Sequence, residues 1–178
     1  MNNGTSFYER IIKVPNRGKH LAKKISLAMS YLLLFSIFAV AALNNIKSAL
    51  PLLVVGALLT FAVAAVSWKY LQLEYEYSFS YGVISVSKIY GKKKRKTLVS
   101  AEIKELMLVA PATDESIKRA EGMEIDERVI AVSSEEAENI WLLLTGGKDK
   151  KRTLLFFEAD ERSLAILKGI NPFVFSKR

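Results

Sequence analysis

The sequence has no cysteine and a single histidine, His20, among its 178 residues. Without cysteine there is no disulfide, no thiolate nucleophile and no thiolate-bound metal, which suits a reducing compartment. Residues 25–43 and 49–68 also contain no Asp, Glu, Lys, Arg or His. Charges within a membrane usually mark ion sites, proton relays and voltage sensors. Their absence here argues against transport by this chain alone.

The two uncharged stretches are almost entirely apolar, and the short polar segment 44–48 separates them. A membrane-spanning helix needs about 20 apolar residues to cross a hydrocarbon core of roughly 30 Å. Each stretch is long enough to cross alone, and the pair is too long for one crossing. We therefore predict a two-helix transmembrane hairpin over residues 25–70.

Positive charge is unevenly distributed around this hairpin. Residues 1–24 contain six Lys or Arg residues, whereas the loop between the spans contains only Lys47. The positive-inside rule places the basic side in the cytoplasm. We therefore expect a multi-pass protein of the cell membrane with both termini and the C-terminal domain in the cytoplasm. A signal peptide cleaved after the Ala39-Val40-Ala41 stretch is the alternative for the first span, and the second span would still return the chain to the cytoplasm.

The basic N-terminal segment, residues 1–24, contains one possible helix. A helical period puts Phe7, Ile11 and Val14 on one face, and Pro15 would end the helix. Such a helix would either lie on the bilayer surface or pack as a helical turn on the soluble domain. The residues alone do not separate these two interpretations.

Small residues recur at every fourth position of the second span, at Gly56, Thr60 and Ala64. This spacing lines one helix face and lets a neighbouring helix approach closely. We interpret it as a helix-packing face, with the first span as the expected partner and homodimerisation as the alternative.

From Leu73 the period changes to two, which predicts strands. We predict a hairpin over residues 73–90, with its turn at Tyr81 and Gly82. Further strands are expected within 97–101, 103–109 and 128–133, and central strands at 140–144 and 153–157, joined by a loop at 146–150. Residues 113–122 fit either a short helix or an acidic loop. A helix over 161–168, capped by Asp160, should cover a core that includes Trp141, Leu143, Phe156, Leu164 and Leu167.

Five consecutive basic residues follow the predicted hairpin: Lys92, Lys93, Lys94, Arg95 and Lys96. On a turn near the cytoplasmic leaflet, each would be attracted to anionic lipid by about 1 kcal/mol. We interpret them as a possible anionic-lipid contact, with a solvated turn that reinforces topology as the alternative.

The sequence contains no recognisable catalytic constellation. There is no paired nucleophile and base, and the acidic run 124–127 lacks metal-ligand spacing. Gly146-Gly147 lies between two strands and lacks the strand–loop–helix context of a phosphate-binding loop. The basic excess is explained first by membrane orientation. We therefore expect no enzyme activity, no cofactor, no metal and no nucleic acid partner.

We predict the fold class α+β: a transmembrane α-hairpin followed, over residues 71–178, by a mainly antiparallel β domain with a C-terminal capping helix. Four segments carry a resemblance to a known family: 73–79, 88–96, 103–105 with Ala110-Pro111, and 157–161. The chain resembles a family of uncharacterised small bacterial membrane proteins with two transmembrane helices and a cytoplasmic PH-like domain. The resemblance covers the chain from Phe7 onward and implies a fold and topology, without an activity or a functional residue.

Two functional hypotheses follow. In the first, the chain is a membrane-anchored, non-catalytic interaction module that holds its PH-like domain at the inner leaflet to bind an unknown protein partner or anionic lipid headgroups. In the second, it is an accessory subunit of a larger membrane complex assembled through the transmembrane helices.

Overall fold

A computed structural model describes residues 7–44, 47, 49–134, 136–146 and 151–175. It divides into two compact units. One comprises the helical segment Pro15–Leu73, and the other comprises the chain on both sides of it, Met1–Val14 and Glu74–Arg178. The soluble domain is therefore built from two separate parts of the sequence.

The helical unit contains α1 (Gly18–Asn44) and α2 (Ala49–Tyr70). Both helices are long and apolar enough to span a membrane, over His20–Asn44 and Ala49–Tyr70. Only 6% of the most apolar window of each helix is buried within the chain, so most of this apolar surface is not covered by the rest of the described protein. Of the intervening loop, residues 45, 46 and 48 lie outside the described residues.

The first sheet of the soluble domain has the strand order β1-β2-β3-β4. Its strands are β1 (Tyr8–Lys13), β2 (Leu73–Ser80), β3 (Val83–Tyr90) and β4 (Lys94–Glu102). We call the side that carries Tyr75, Tyr77 and Phe79 the tyrosine face. The turn between β2 and β3 falls at Tyr81 and Gly82 as predicted, both with positive φ.

The helix predicted over residues 7–14 is wrong, because these residues form β1. β1 is antiparallel to β2, with Tyr8 opposite Phe79 and Lys13 opposite Glu74. Ile12 is buried, whereas Phe7 and Ile11, which the helical period placed at a packed face, are more than half exposed. In a segment this short, the edge of β2 decides the conformation, because it offers a full row of backbone hydrogen-bond partners.

The second sheet has the order β5-β7-β8-β6. Its strands are β5 (Leu106–Pro111), β6 (Glu127–Ala131), β7 (Ile140–Thr145) and β8 (Thr153–Glu158). β5 and β7 are antiparallel, as are β7 and β8, but β6 is parallel to β8. A 3-10 turn at Ile103–Glu105 leads from β4 into β5, so the strand predicted within 103–109 begins only at Leu106.

Two helices complete the soluble domain. Residues 113–122, which the sequence left open, contain the helix α3 (Asp114–Glu121), capped by Thr113. The C-terminal helix α4 (Glu161–Ile170) is capped by Asp160 as predicted, and it extends two residues beyond the predicted range of 161–168. The predicted α+β class, with a mainly antiparallel domain and a C-terminal helix, is thus confirmed, and β1 is added ahead of the helical pair.

The two faces of the second sheet bury different sets of residues. Leu142 and Leu144 pack with α3, whereas Phe157 meets Tyr77 of the first sheet edge-to-face at 5.8 Å. Leu143 and Leu167 are fully buried as predicted. Phe156 packs on the α3 side instead of beneath α4, because it lies directly opposite Leu142 in the β7–β8 register. Trp141 and Leu164, also expected in the core, are half-buried.

Candidate functional site

Four strand ends meet at one end of the first sheet. β1 ends at Lys13 opposite Glu74, the second residue of β2, and β3 ends at Tyr90 opposite the start of β4 at Lys94. Since β2 and β3 are neighbours joined by a tight turn at the other end, these termini share one end of the sheet. We call it the attachment end, because the chain leaves β1 for α1 here and returns from α2 into β2.

The predicted basic segment lies at the attachment end, but only part of it is a turn. Gly91 and Lys92 have positive φ and reverse the chain, and β4 already begins at Lys94. The side chains of Lys94, Arg95 and Lys96 therefore alternate between the two faces of the sheet. The five positive charges are divided into distinct environments, instead of forming one uniform loop.

Arg95 lies on the face opposite the tyrosines. Its guanidinium donates a hydrogen bond to Glu76 and lies 3.8 Å from a carboxylate oxygen of Glu9. The Glu76 side chain is only 5% exposed. Burial raises the pKa of the Glu76 carboxyl above its ordinary value, and Arg95 opposes that rise. Arg95 is therefore committed to a partner within the domain and is the least available of the five.

Lys94 and Lys96 lie on the tyrosine face with a third lysine that the sequence did not single out. Lys88 stands directly opposite Lys96, and Tyr90 directly opposite Lys94. The Lys88 ammonium lies 5.9 Å from the Tyr75 ring centroid and 5.2 Å from that of Tyr90. Burial raises the pKa of Tyr75, and the positive charge of Lys88 opposes that rise. The alternation Lys88-Ile89-Tyr90 was the available signal that Lys88 and Tyr90 share a face.

A second polar cluster ties β1 to the start of α4. The Tyr8 hydroxyl donates to the Asp160 carboxylate, and Arg10 donates to the backbone oxygen of Glu158 at 3.2 Å. The Arg162 guanidinium lies 4.8 Å from the Tyr8 ring centroid. Burial would raise the pKa of Asp160, but hydrogen bonds from Tyr8 and Ser163 outweigh it, and the pKa is lowered. We call the cluster of Tyr8, Arg10, Asp160 and Arg162 the clasp. The sequence pattern did not predict it, because residues 7–14 were interpreted as a separate helix.

Tyr77 links the two sheets beneath the clasp. Its hydroxyl donates to the backbone oxygen of Ala131 and accepts from the backbone N–H of Glu158 at 3.2 Å. Burial raises the pKa of Tyr77 far above its ordinary value, so the hydroxyl stays protonated. Both polar functions of this buried group are used within the core, which indicates a structural role.

Gly56, Thr60 and Ala64 lie along one side of α2. A Cβ built on Gly56 would lie 2.5 Å from the Cβ of Phe38, so a glycine is required where α1 crosses. Thr60 and Ala64 are half-buried, and farther along the Tyr31 and Ser67 hydroxyls are 2.7 Å apart. The Gly56 position is thus occupied by the chain's own first helix.

The described residues offer no group of three His, Asp or Glu side chains that could hold a metal ion. Four of their arginines, Arg10, Arg95, Arg128 and Arg152, form ion pairs with carboxylates of the same chain. The arrangement that the structure does provide is a cationic and aromatic surface at the attachment end, next to the points where two apolar helices join the domain.

This architecture defines a class: a two-sheet β domain closed by a C-terminal helix, into which a pair of long apolar helices is inserted after the first strand. Residues 4–176 match the family model described as bacterial PH-like domain (DUF6106), and the chain belongs to that family. The match begins ahead of β1, in agreement with a domain whose first strand precedes the helices. Searches of curated proteins and of solved structures each gave no significant match.

Proposed function

We propose that this chain is a membrane-anchored, non-catalytic interaction module. In this proposal α1 and α2 cross the bacterial cell membrane as a hairpin, and the PH-like domain works at the cytoplasmic leaflet. The carrying observation is the β1–β2 register, which brings both points of helix attachment and the basic β3–β4 turn to one end of the first sheet.

The strand pairing supports an even number of crossings without reference to charge. β1 precedes α1 and β2 follows α2, yet the two strands pair along six residues. Both must therefore lie on the same side of any membrane that the helices cross. The six Lys and Arg residues within 1–24, against Lys47 alone between the helices, favour the cytoplasmic side.

Chain connectivity supports a position of the attachment end close to the lipid. Only Leu71 and Gln72 separate α2 from β2, and Trp68 and Tyr70 at the end of α2 are of the kind that anchors at membrane interfaces. Lys92, Lys93, Lys94 and Lys96, all exposed, would then face anionic headgroups. Arg95 contributes less, because Glu76 and Glu9 already neutralise it.

The alternative, an accessory subunit held through Gly56, Thr60 and Ala64, has less support. A partner helix could not reach Gly56 without displacing Phe38 of the same chain. The proposal therefore rests on the soluble domain and its basic end rather than on the helix-packing face.

The test uses the full-length protein in nanodiscs of phosphatidylcholine, with and without phosphatidylglycerol. We expect phosphatidylglycerol to slow backbone hydrogen exchange across residues 90–96, and added salt to reverse the effect, because screening acts over about 8 Å at physiological ionic strength. Replacing Lys92, Lys93, Lys94 and Lys96 with Gln should abolish it. The matched control removes the same charge at Lys104, Lys118, Lys151 and Lys168, which are exposed elsewhere on the domain. Equal loss in both variants, or no lipid dependence at all, would refute the lipid contact.

A further inference from the structure

The first sheet carries two lysines that face each other across β3 and β4. Lys88 and Lys96 are direct partners in the antiparallel register and share the tyrosine face. Cβ atoms of directly opposed residues lie about 4.5–5.5 Å apart, and like charges in such positions destabilise a sheet. Lys94 is two residues away on the same face and adds a third positive charge.

No carboxylate among the described residues forms an ion pair with Lys88, Lys94 or Lys96. The contrast with Arg95 is clear, since this neighbour in β4 has two carboxylate partners on the other face. The domain thus compensates the charge on one face of β4 and leaves three ammonium groups without a carboxylate partner on the other.

One of the three lysines, Lys88, is also held in position by aromatic side chains. The Lys88 ammonium lies over the rings of Tyr75 and Tyr90, and Tyr75 is only 7% exposed. A cation over aromatic faces is attracted to them without losing its charge. The Lys88 side chain is therefore ordered before any ligand arrives, which lowers the entropic cost of binding.

We infer that Lys88, Lys94 and Lys96, with Tyr75 and Tyr90, form a binding site for a phosphate group. Ammonium groups bind phosphate oxygens as point charges, and three of them on one surface can surround a single phosphate. A bound phosphate would also relieve the repulsion between Lys88 and Lys96. The site accepts a phosphodiester of a lipid headgroup or a small phosphate ester. The phosphate-site proposal rests on the proposed function, because anionic lipid is the source of the phosphodiester. It assigns phosphate binding to a defined surface, where the proposed function required only attraction to the basic segment as a whole.

The experiment compares two double variants of equal charge in the full-length protein in uncharged detergent. Lys88→Gln/Lys96→Gln removes the facing pair, and Lys92→Gln/Lys93→Gln removes two lysines of the adjacent turn. Affinity for sn-glycerol-1-phosphate is measured by calorimetry, and retention of phosphatidylglycerol by native mass spectrometry. We expect the first variant to weaken both by at least about tenfold and the second by less than about threefold. Lys88→Arg, which keeps the charge, should retain binding.

A measurement without ligand distinguishes the site from a folding defect. Because the facing lysines repel, Lys96→Gln should raise the melting temperature in phosphate-free buffer. Glycerol phosphate should raise the melting temperature of the wild type and leave the melting temperature of Lys88→Gln/Lys96→Gln unchanged.

Equal weakening of ligand binding by both double variants would overturn the defined site while leaving charge-driven lipid contact in place. Binding of glycerol phosphate without retention of phosphatidylglycerol would uphold the site and refute the lipid contact. Failure of both ligands to bind the wild type would refute both.

Discussion

The Tyr8 hydroxyl in β1 donates a hydrogen bond to Asp160, the residue that caps α4, across 152 positions of the sequence. This contact joins the first strand of the described chain to the last helix of the soluble domain. The helical pair is therefore not a leader placed ahead of a finished domain. It interrupts the domain between two of its neighbouring strands.

Removing the Tyr8 hydroxyl should weaken the clasp. We expect Tyr8→Phe to lower the free energy of unfolding by about 1 kcal/mol, because a hydrogen bond to a charged acceptor is lost while the ring remains. Tyr81→Phe is the matched control, since Tyr81 is 86% exposed at the β2–β3 turn. Thermal unfolding of the full chain in detergent, followed by near-ultraviolet circular dichroism, compares them. Equal effects of the two substitutions would mean that the clasp does not stabilise the domain.

The interrupted domain can be rejoined without its helices. Lys13 lies opposite Glu74, so a short Gly/Ser linker should connect residues 7–14 to residues 73–178 as a hairpin. We expect this fusion to be soluble and to unfold cooperatively. Residues 73–178 alone should aggregate, because the unpaired β2 edge and part of the tyrosine face would be exposed. Soluble yield and size-exclusion profiles measure the difference, and a fragment without β1 that behaves as well as the fusion would contradict the two-part domain.

The buried Glu76 makes its partner Arg95 more important to stability than the lysine beside it. Arg95→Gln leaves a buried carboxylate without its closest donor. We expect a loss of about 1 kcal/mol, because the Arg95 side chain is 57% exposed and water screens the pair. Lys96→Gln, one residue away on the other face, should instead be stabilising, because it relieves the repulsion with Lys88. The melting temperatures of the two variants are measured in parallel. A lower melting temperature for Lys96→Gln than for Arg95→Gln would contradict the assignment of the two side chains to opposite faces.

The raised pKa of Glu76 gives stability a pH dependence of defined sign. Between the unfolded pKa, about 4.3, and the raised folded value, the native state binds more protons than the unfolded state. Stability should therefore fall as pH rises through this window. Glu76→Gln should remove that contribution, whereas Glu102→Gln, at an exposed position, controls for the change in net charge. Denaturant titrations at a series of pH values from 4 to 7 show whether the slope disappears in Glu76→Gln, as expected.

The absence of cysteine allows a direct test of topology. Single cysteines at Ser48, between the helices, and at Glu115, exposed in α3, report the two sides of the membrane. We expect Ser48→Cys to react with an impermeant thiol reagent in intact cells, and Glu115→Cys to react only after lysis. Labelling of both sites in intact cells would show that the two positions share a compartment and that the helices do not cross as a hairpin.

Strong periodic signals in the sequence were sufficient for most elements. The uncharged stretches predict α1 and α2, the alternation from Leu73 predicts the β2–β3 hairpin, and Asp160 predicts the start of α4. These signals are local, and each is reinforced by burial or capping within the same segment. β1 has no comparable signal, because six residues read equally well as one and a half helical turns. Its conformation depends on β2, which lies beyond the entire helical pair.

The site was harder to predict because a β-bulge sets it. The register shifts between Val86 and Ser87, so that Val86 faces Val99 while Ser87 faces Thr97, and Leu98 is the extra residue. Simple alternation back from Val99 would put Arg95 on the tyrosine face and Lys96 on the opposite one. The bulge reverses both assignments. Residues 94–102 contain no glycine or other turn residue that would indicate the bulge. The sequence therefore favours the interpretation of Lys92–Lys96 as a uniform basic turn.

The division of the domain around the helices has a consequence for synthesis on the ribosome. β1 emerges first and has no partner until the chain has been translated through Leu73, when the start of β2 becomes available. If α1 inserted into a membrane and α2 failed to follow, β2 would emerge in the other compartment and could never meet β1. Pairing of β1 with β2 therefore requires that α1 and α2 either both insert or both stay out of the membrane, and a chain in which only α1 inserts would keep an open strand edge.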